Sequence, residues 1–183
     1  RPVWVHSRIA GTVEWKDGGG GAEAASGPAG GAGDMIQSAR DIARIGLAAE
    51  MVGSTEECVE RTIEYLKTRE QFGVPIGSFQ ALKHRAANMF CEIELSKSCV
   101  LEALTALDEG RDAQEIAKLA SLTKAKVGET YNLVSREGIQ MHGGIGMTDE
   151  YDAGFYLKRA RTLENLLGNQ AYHRERYAQI LGF

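Results

Sequence analysis

From Asp34 onward, apolar residues return every three or four positions, and this period constrains the fold more than any other feature of the chain. Ile36, Ala39, Ala43, Leu47 and Met51 open a stripe that continues through Thr55, Val59 and Ile63 to Leu66. It marks one helix of about 30 residues with Asp34 as its N-cap. A second stripe runs from Phe79 through Met89, Ile93, Val100 and Leu104 to Leu107, and predicts a helix from Ser78 to about Glu109 that Gly110 ends. Asp112, with Glu115 three residues on, reads as a capping box opening a third helix that carries Leu119, Thr123, Val127, Val134 and Met141. Beyond the glycine-rich break "HGGIGM", Thr148 is expected to cap a fourth helix with an acidic start, Asp149-Glu150, and apolar Phe155, Tyr156, Leu163 and Leu167. A short last helix follows from about Gln170 to Leu181. Long helices with short connections pack antiparallel, so residues 35–183 are expected to form an all-α, up-down four-helix bundle. No strand pattern is read beyond residue 15.

The first 34 residues differ in kind. "DGGGGAEAASGPAGGAGD" has almost nothing to bury and reads as a flexible connector. Before it, "VWVH" and "GTVEW" lean towards strand and are expected to pair in a short hairpin. The sequence begins with Arg1 rather than methionine, as a fragment, a processed product or a trimmed chain would.

Composition excludes several classes of function. A net charge of −4 argues against nucleic acid or an anionic membrane as partner, since both favour a basic surface. No apolar run approaches a bilayer span, so the chain reads as cytoplasmic. Three cysteines without CxxC spacing suggest neither zinc nor a disulfide framework, and buried, reduced thiols are expected at Cys58, Cys91 and Cys99. None of the four histidines has a glutamate three residues before it, and no GxSxG elbow, P-loop or His-x-x-x-His pair occurs. Di-iron, hydrolase and nucleoside-triphosphatase chemistry therefore have no foothold, and His84 and His173 are expected at the surface or at helix caps.

Two helix junctions are richer than turns need to be. "TREQFG" joins a guanidinium, Arg69, to an aromatic ring, Phe72, a pair suited to clasping a phosphate and covering a planar ring. "QMHGGIGM" places Gly143 and Gly144 together, where the lack of side chains lets backbone approach a ligand. Each has a plainer reading, as a solvated charge or an ordinary helix cap.

Taken together, "TREQFGVPIGSFQALKHRAANM" and "QMHGGIGMTDEYDAGFYLKRAR" resemble the two signature stretches of the C-terminal α-domain of the acyl-CoA dehydrogenase family. The resemblance runs from about residue 40 to the end, roughly three quarters of the chain, and function has to be argued from its residues. It implies a subunit of a homotetramer holding FAD between subunits. Arg69 would meet the FAD pyrophosphate of a neighbouring subunit, with Phe72 beside the cofactor and Gln80 nearby. Gln140, Gly143 and Gly144 match the family's QxxGG element, along the adenosine half of the partner's FAD. The implied reaction is α,β-dehydrogenation of an acyl-CoA thioester, with an electron-transfer flavoprotein as the usual acceptor. Two readings stand for Arg44: a solvated helix charge, or the family arginine near the substrate. In both, Asp41 is placed to pair with it.

The sequence departs from the family at the catalytic base. The stretch that often carries a glutamate reads "NLLGNQ", with Gly168 or a neighbour in its place, and the alternative position on the first bundle helix is Ala43. Glu164, Glu50 and Asp41 are the nearest carboxylates, each expected in a surface or capping role, so the base is unassigned. A divergent enzyme subunit, pairing with itself or with a related acyl-CoA dehydrogenase subunit, an inactive assembly module and a fragment all fit this departure.

Overall fold

The computed structural model describes residues 3–5, 8–10 and 32–183. Two short strands, β1 (Val3–Val5) and β2 (Arg8–Ala10), pair antiparallel, with Trp4 opposite Ile9. The strand partner of Val3–Val5 is thus Arg8–Ala10. The other expected partner, residues 11–15, and nearly all of the expected flexible segment lie outside the described residues.

Five helices follow: α1 (Ala32–Thr68), α2 (Gln80–Asp108), α3 (Ala113–His142), α4 (Ala153–Asn165) and α5 (Gln170–Leu181). The first four alternate in direction as an up-down bundle, and α5 packs against α3. Asp34 lies within the first turn of α1, which begins at Ala32. The first three positions of the expected α1 stripe, Ile36, Ala39 and Ala43, are exposed. Burial begins with Asp41 and Arg44 and then takes Ile45, Ala48, Met51 and Val52. The helix outruns the bundle at its start, so the period continues where no neighbour covers it.

The α3 N-terminus forms as expected in part. Asp112 accepts from the amides of Gln114 and Glu115 at 2.9 and 3.0 Å, while the Glu115 carboxylate turns to Lys118 at 2.8 Å. Thr148 does not cap α4. Its hydroxyl bonds the Ile145 carbonyl at 2.8 Å, and α4 starts at Ala153 after Asp152, whose carboxylate pairs with Arg61. Tyr151 packs against Tyr65 and His142 there, so aromatic contact draws the α3–α4 connection inward and delays the helix.

The core consists of three buried clusters with α3 in each. Leu47, Met51, Val100, Val127, Tyr131 and Leu163 form the largest, where α1, α2, α3 and α4 meet. Cys58, Leu66, Met89, Ile93, Val134 and Met141 fill one end, and Ile45, Ala103, Ala106, Leu119 and Ala120 the other. Phe79, Phe155 and Leu104, expected on buried stripes, are exposed. Several polar groups inside are matched: Thr55 and Thr62 donate to the carbonyls four residues earlier, both at 2.7 Å, and Ser96 bonds Thr130 across α2 and α3 at 2.8 Å. Of the three free thiols only Cys58 is buried, and Cys91 is exposed on the solvent side of α2. Among the described residues no helix is long and apolar enough to cross a membrane.

Met51 has no exposed surface and Leu101 is 67% exposed. Met51→Ala is expected to lower stability by about 3 kcal/mol, and Leu101→Ala by less than about 0.5 kcal/mol. Urea denaturation of the two variants measures the difference.

Candidate functional site

Because α1 and α3 run the same way, the two motif junctions emerge at one end of the bundle. Tyr65, near the end of α1, donates its hydroxyl to the carbonyl of His142, the last residue of α3, at 3.3 Å. The junction after α1 is a small hairpin that the sequence reading missed. β3 (Glu70–Gln71) pairs with β4 (Val74–Pro75), and the two residues between them, Phe72 and Gly73, both have positive φ, 55° and 78°. That is the geometry of a tight two-residue hairpin turn. Pro75 therefore ends a strand, and the turn into α2 is the 3₁₀ segment Ile76–Ser78.

Gly77 sits against the end of α1. A Cβ at this position would lie 2.8 Å from the Leu66 carbonyl oxygen, so only glycine permits the approach. The hairpin holds Arg69 by its backbone, with its amide on the Tyr65 carbonyl and its own carbonyl on the Ile76 amide, each at 2.8 Å. The Arg69 side chain is exposed, with no salt-bridge partner among the described residues. Phe72 is 93% exposed and meets Phe79 edge-on, with ring centroids 6.0 Å apart. Gln80 is exposed at the start of α2. At the second junction Gln140, Gly143 and Gly144 are exposed, and a 3₁₀ turn over Gly143–Met147 carries the chain away from α3. Nothing lies within 4 Å of where a Cβ of Gly144 would be, so this backbone is open to approach.

Arg44 belongs to a different place. It is 4% exposed, which removes the solvated-charge reading. Its guanidinium donates to Asp41 at 2.7 Å, to the Leu167 carbonyl at 3.1 Å and to the Tyr172 hydroxyl at 3.2 Å. Asp41 is itself buried, correcting its expected surface or capping role, and Arg176 from α5 grips both its oxygens at 2.7 Å. Burial would raise the pKa of Asp41, but the hydrogen bonds and charges of Arg176 and Arg44 outweigh it and hold the carboxyl below its ordinary range.

Lys124 completes this cluster from α3. Only 2% exposed, it donates to the carbonyls of Glu164 and Gly168 at 3.0 and 3.1 Å, and burial lowers its pKa to about 8. His173, expected at the surface or a cap, is fully buried, with Nε2 3.1 Å from the Leu167 carbonyl. A carbonyl accepts, so Nε2 carries the proton. The α4–α5 turn is therefore held by three buried side chains donating into its carbonyls, and Leu167 keeps a left-handed φ of 61°. Gly168 (φ 111°) is enclosed: a Cβ there would meet the Tyr172 ring at 2.4 Å and His173 Nε2 at 2.8 Å.

No carboxylate near this turn is unengaged. Glu164 pairs with Arg161 at 3.3 Å, Glu50 with Arg159, and Asp41 with both arginines. Among the described residues no group of acidic, histidine and cysteine side chains is placed to hold a metal. A cleft of about 260 Å³ between α3 and α5, walled by Leu122, Ala125 and Tyr177, lies along the first half of α3, away from the junctions at its end. Sequence reasoning anticipated the Asp41–Arg44 pair from its spacing. It missed Arg176, Lys124 and His173, which reach the cluster from distant segments with no local pattern.

His173 gives a pH dependence with a definite sign. Burial, with Lys124 and Arg44 close by, lowers its pKa from 6.5 to about 4, so folding favours the neutral ring. Its contribution is complete above pH 6.5 and is lost as pH falls through about 4, a change on the order of 3 kcal/mol. His173→Gln is expected to flatten that part of the acid dependence in urea titrations between pH 7 and 4.

The family model for the acyl-CoA dehydrogenase C-terminal domain matches residues 31–182. Acyl-CoA dehydrogenase IpdE2 of Mycobacterium tuberculosis (strain ATCC 25618 / H37Rv) is 44% identical over 127 residues, covering 69% of this chain and 37% of that protein. Subunit CarC of the caffeyl-CoA reductase-Etf complex of Acetobacterium woodii (strain ATCC 29683 / DSM 1030 / JCM 2381 / KCTC 1655 / WB1) is 33% identical over 111 residues, 61% of this chain and 28% of that one. Among solved structures, glutaryl-coenzyme A dehydrogenase in its glutaryl-CoA complex superposes with a TM-score of 0.78 at 26% identity, over 83% of this chain and 38% of that one. The chain thus spans between 28% and 38% of the length of these three relatives. With the helical bundle, both signature junctions and the family model in agreement, the chain belongs to the acyl-CoA dehydrogenase family, as its C-terminal domain.

Proposed function

We propose that this chain is the C-terminal part of an FAD-dependent acyl-CoA dehydrogenase that carries out α,β-dehydrogenation of an acyl-CoA thioester. The observation that carries the reading is the single end of the bundle where exposed Arg69, exposed Phe72 and the open Gly143–Gly144 backbone stand together on rigid supports. These groups fit a dinucleotide. An unpaired guanidinium suits a pyrophosphate, an exposed ring suits a planar heterocycle, and bare backbone suits close contact. Arg69, Phe72 and Gln80 would hold the pyrophosphate side of FAD, and Gln140, Gly143 and Gly144 its adenosine half, with the cofactor shared across a subunit interface. When bound, FAD supplies the oxidant that takes the β-hydrogen as hydride.

The proton side is distinctive. Gly168 with its neighbours Leu167 and Asn169, and Ala43, the positions that resemblance gives to a base, carry no carboxylate, and Asp41, Glu50 and Glu164 are all engaged in ion pairs. The α-proton is therefore removed by a group outside these residues, from another segment or a related subunit. Arg44 serves the substrate side indirectly, by fixing the Leu167 carbonyl and the Tyr172 hydroxyl. The missing base also favours a second reading, a catalytically inactive helical module that assembles with a full acyl-CoA dehydrogenase subunit. An electron-transfer flavoprotein is the proposed electron acceptor, in keeping with the Etf complex to which CarC belongs. An acidic chain with few cysteines fits a cytoplasmic setting.

Flavin titration separates the readings. Alone, the 183 residues are expected to bind FAD weakly or not at all, since much of the flavin site of this family lies in other domains. Mixed with a full-length acyl-CoA dehydrogenase subunit from the same source, the chain is expected to take up FAD and bleach on addition of acyl-CoA. Arg69→Ala should weaken that uptake about tenfold or more, as the loss of a charge-assisted contact implies. No uptake in the mixture would leave the assembly module as the surviving reading.

A further inference from the structure

The two junctions are joined by an aromatic stack whose middle ring is His142. The imidazole is 5% exposed and lies between Tyr65, with centroids 4.4 Å apart and planes at 30°, and Tyr151, at 4.5 Å and 45°. Tyr65 and Tyr151 also meet edge-on at 5.9 Å, closing the cluster. The Nδ1 atom sits 2.6 Å from the Gly138 carbonyl and so carries the proton, which fixes the ring plane along α3. Burial lowers the pKa of His142, so the ring is held neutral within the stack. Packing around it is tight, leaving a cavity of about 10 Å³ beside Cys58 and Tyr156.

Each ring is covalently close to a junction. Tyr65 lies four residues before Arg69, and its carbonyl accepts the Arg69 amide at 2.8 Å. His142 directly precedes Gly143, and its carbonyl accepts the Tyr65 hydroxyl. Tyr151 borders Asp152, whose carboxylate pairs with Arg61 one turn before Tyr65 at 2.8 Å. Rotation or withdrawal of any one ring would therefore shift the backbone on both sides.

We infer that the Tyr65–His142–Tyr151 stack is a clamp that sets the separation between the Arg69 guanidinium and the Gly143–Gly144 backbone, so that the two junctions meet one elongated ligand as a unit. Tyr65 and His142 are positioning residues in this role, and neither needs to touch the ligand. The identity of that ligand rests on the flavin reading above, while the mechanical coupling stands on the ring geometry. The chemistry favours a ligand anionic at one part and close to bare backbone at another, as a dinucleotide is.

Native-state hydrogen exchange on the chain tests the coupling directly. In His142→Ala, the amides of Arg69 and Ile76 in the first junction are expected to exchange about tenfold faster, along with those of Gly143 and Thr148 in the second, while mid-helix amides of α2 keep their protection. Unchanged exchange at Arg69 and Ile76 would overturn the clamp. Should His142→Ala fail to fold, Tyr151→Ala replaces it, since Tyr151 is only half-buried. Faster exchange at both junctions supports the clamp, and faster exchange at one alone or at neither overturns it. FAD titration of the same variants, mixed with the full-length subunit and beside Arg69→Ala, keeps the two ideas apart. Coupled exchange with no effect of Arg69→Ala on FAD uptake would retain the clamp and discard the flavin reading.

Discussion

The burial of α3 is the constraint on which the rest of this structure depends. It touches α1, α2, α4 and α5, and every core cluster includes residues from it. A helix enclosed this far cannot satisfy its buried polar side chains in water, so partners on a neighbouring helix or on the backbone are favoured. Thr130 meets Ser96, Ser121 meets Arg176, and Lys124 meets one carbonyl at the end of α4 and one in the α4–α5 turn. The polar contacts of α3 thereby determine how α2, α4 and α5 are placed around it, beyond what apolar packing requires.

At the start of the bundle these polar contacts gather into one charged cluster. Arg44 and Arg176 face a single buried carboxylate, Asp41, and the remaining charge, with that of Lys124 beside them, is answered by backbone carbonyls of Ala117, Glu164, Leu167 and Gly168. Buried ion pairs of this kind add less to stability than to uniqueness, because alternative packings would strand a charge. Here the arrangement keeps Leu167 at positive φ and Gly168 enclosed by Tyr172 and His173. The turn that carries no acid is thus held by three buried side chains, Arg44, Lys124 and His173, which makes its form a built feature of this protein.

The opposite end of the bundle has the reverse character. Arg69, Phe72, Gln140 and Gly144 are exposed, yet the backbone beneath them is fixed by the β3–β4 hairpin, by Gly77 against Leu66 and by the His142 stack. Exposed side chains on a fixed frame lose less freedom on meeting a ligand, which is the arrangement that binding favours. One end of the molecule is therefore organised inward and the other outward, with α3 running between them.

The sequence by itself determined the helical class, the approximate span of each helix, the Asp112 cap and the Asp41–Arg44 pair. All of these follow from local spacing, which helical geometry turns directly into neighbours three or four residues apart. The two signature stretches also stood out locally, since each is a continuous run. Tertiary structure alone decided that Ile36 and Ala43 stay exposed, that α4 waits until Ala153, and that His173 and Lys124 are buried. Exposure depends on whether a neighbour covers a face, and helical periodicity carries no information about that. The meeting of Asp41 with Arg176, 135 positions away, and of Tyr65 with His142, 77 away, arises from packing between helices, so no pattern along the chain could announce it.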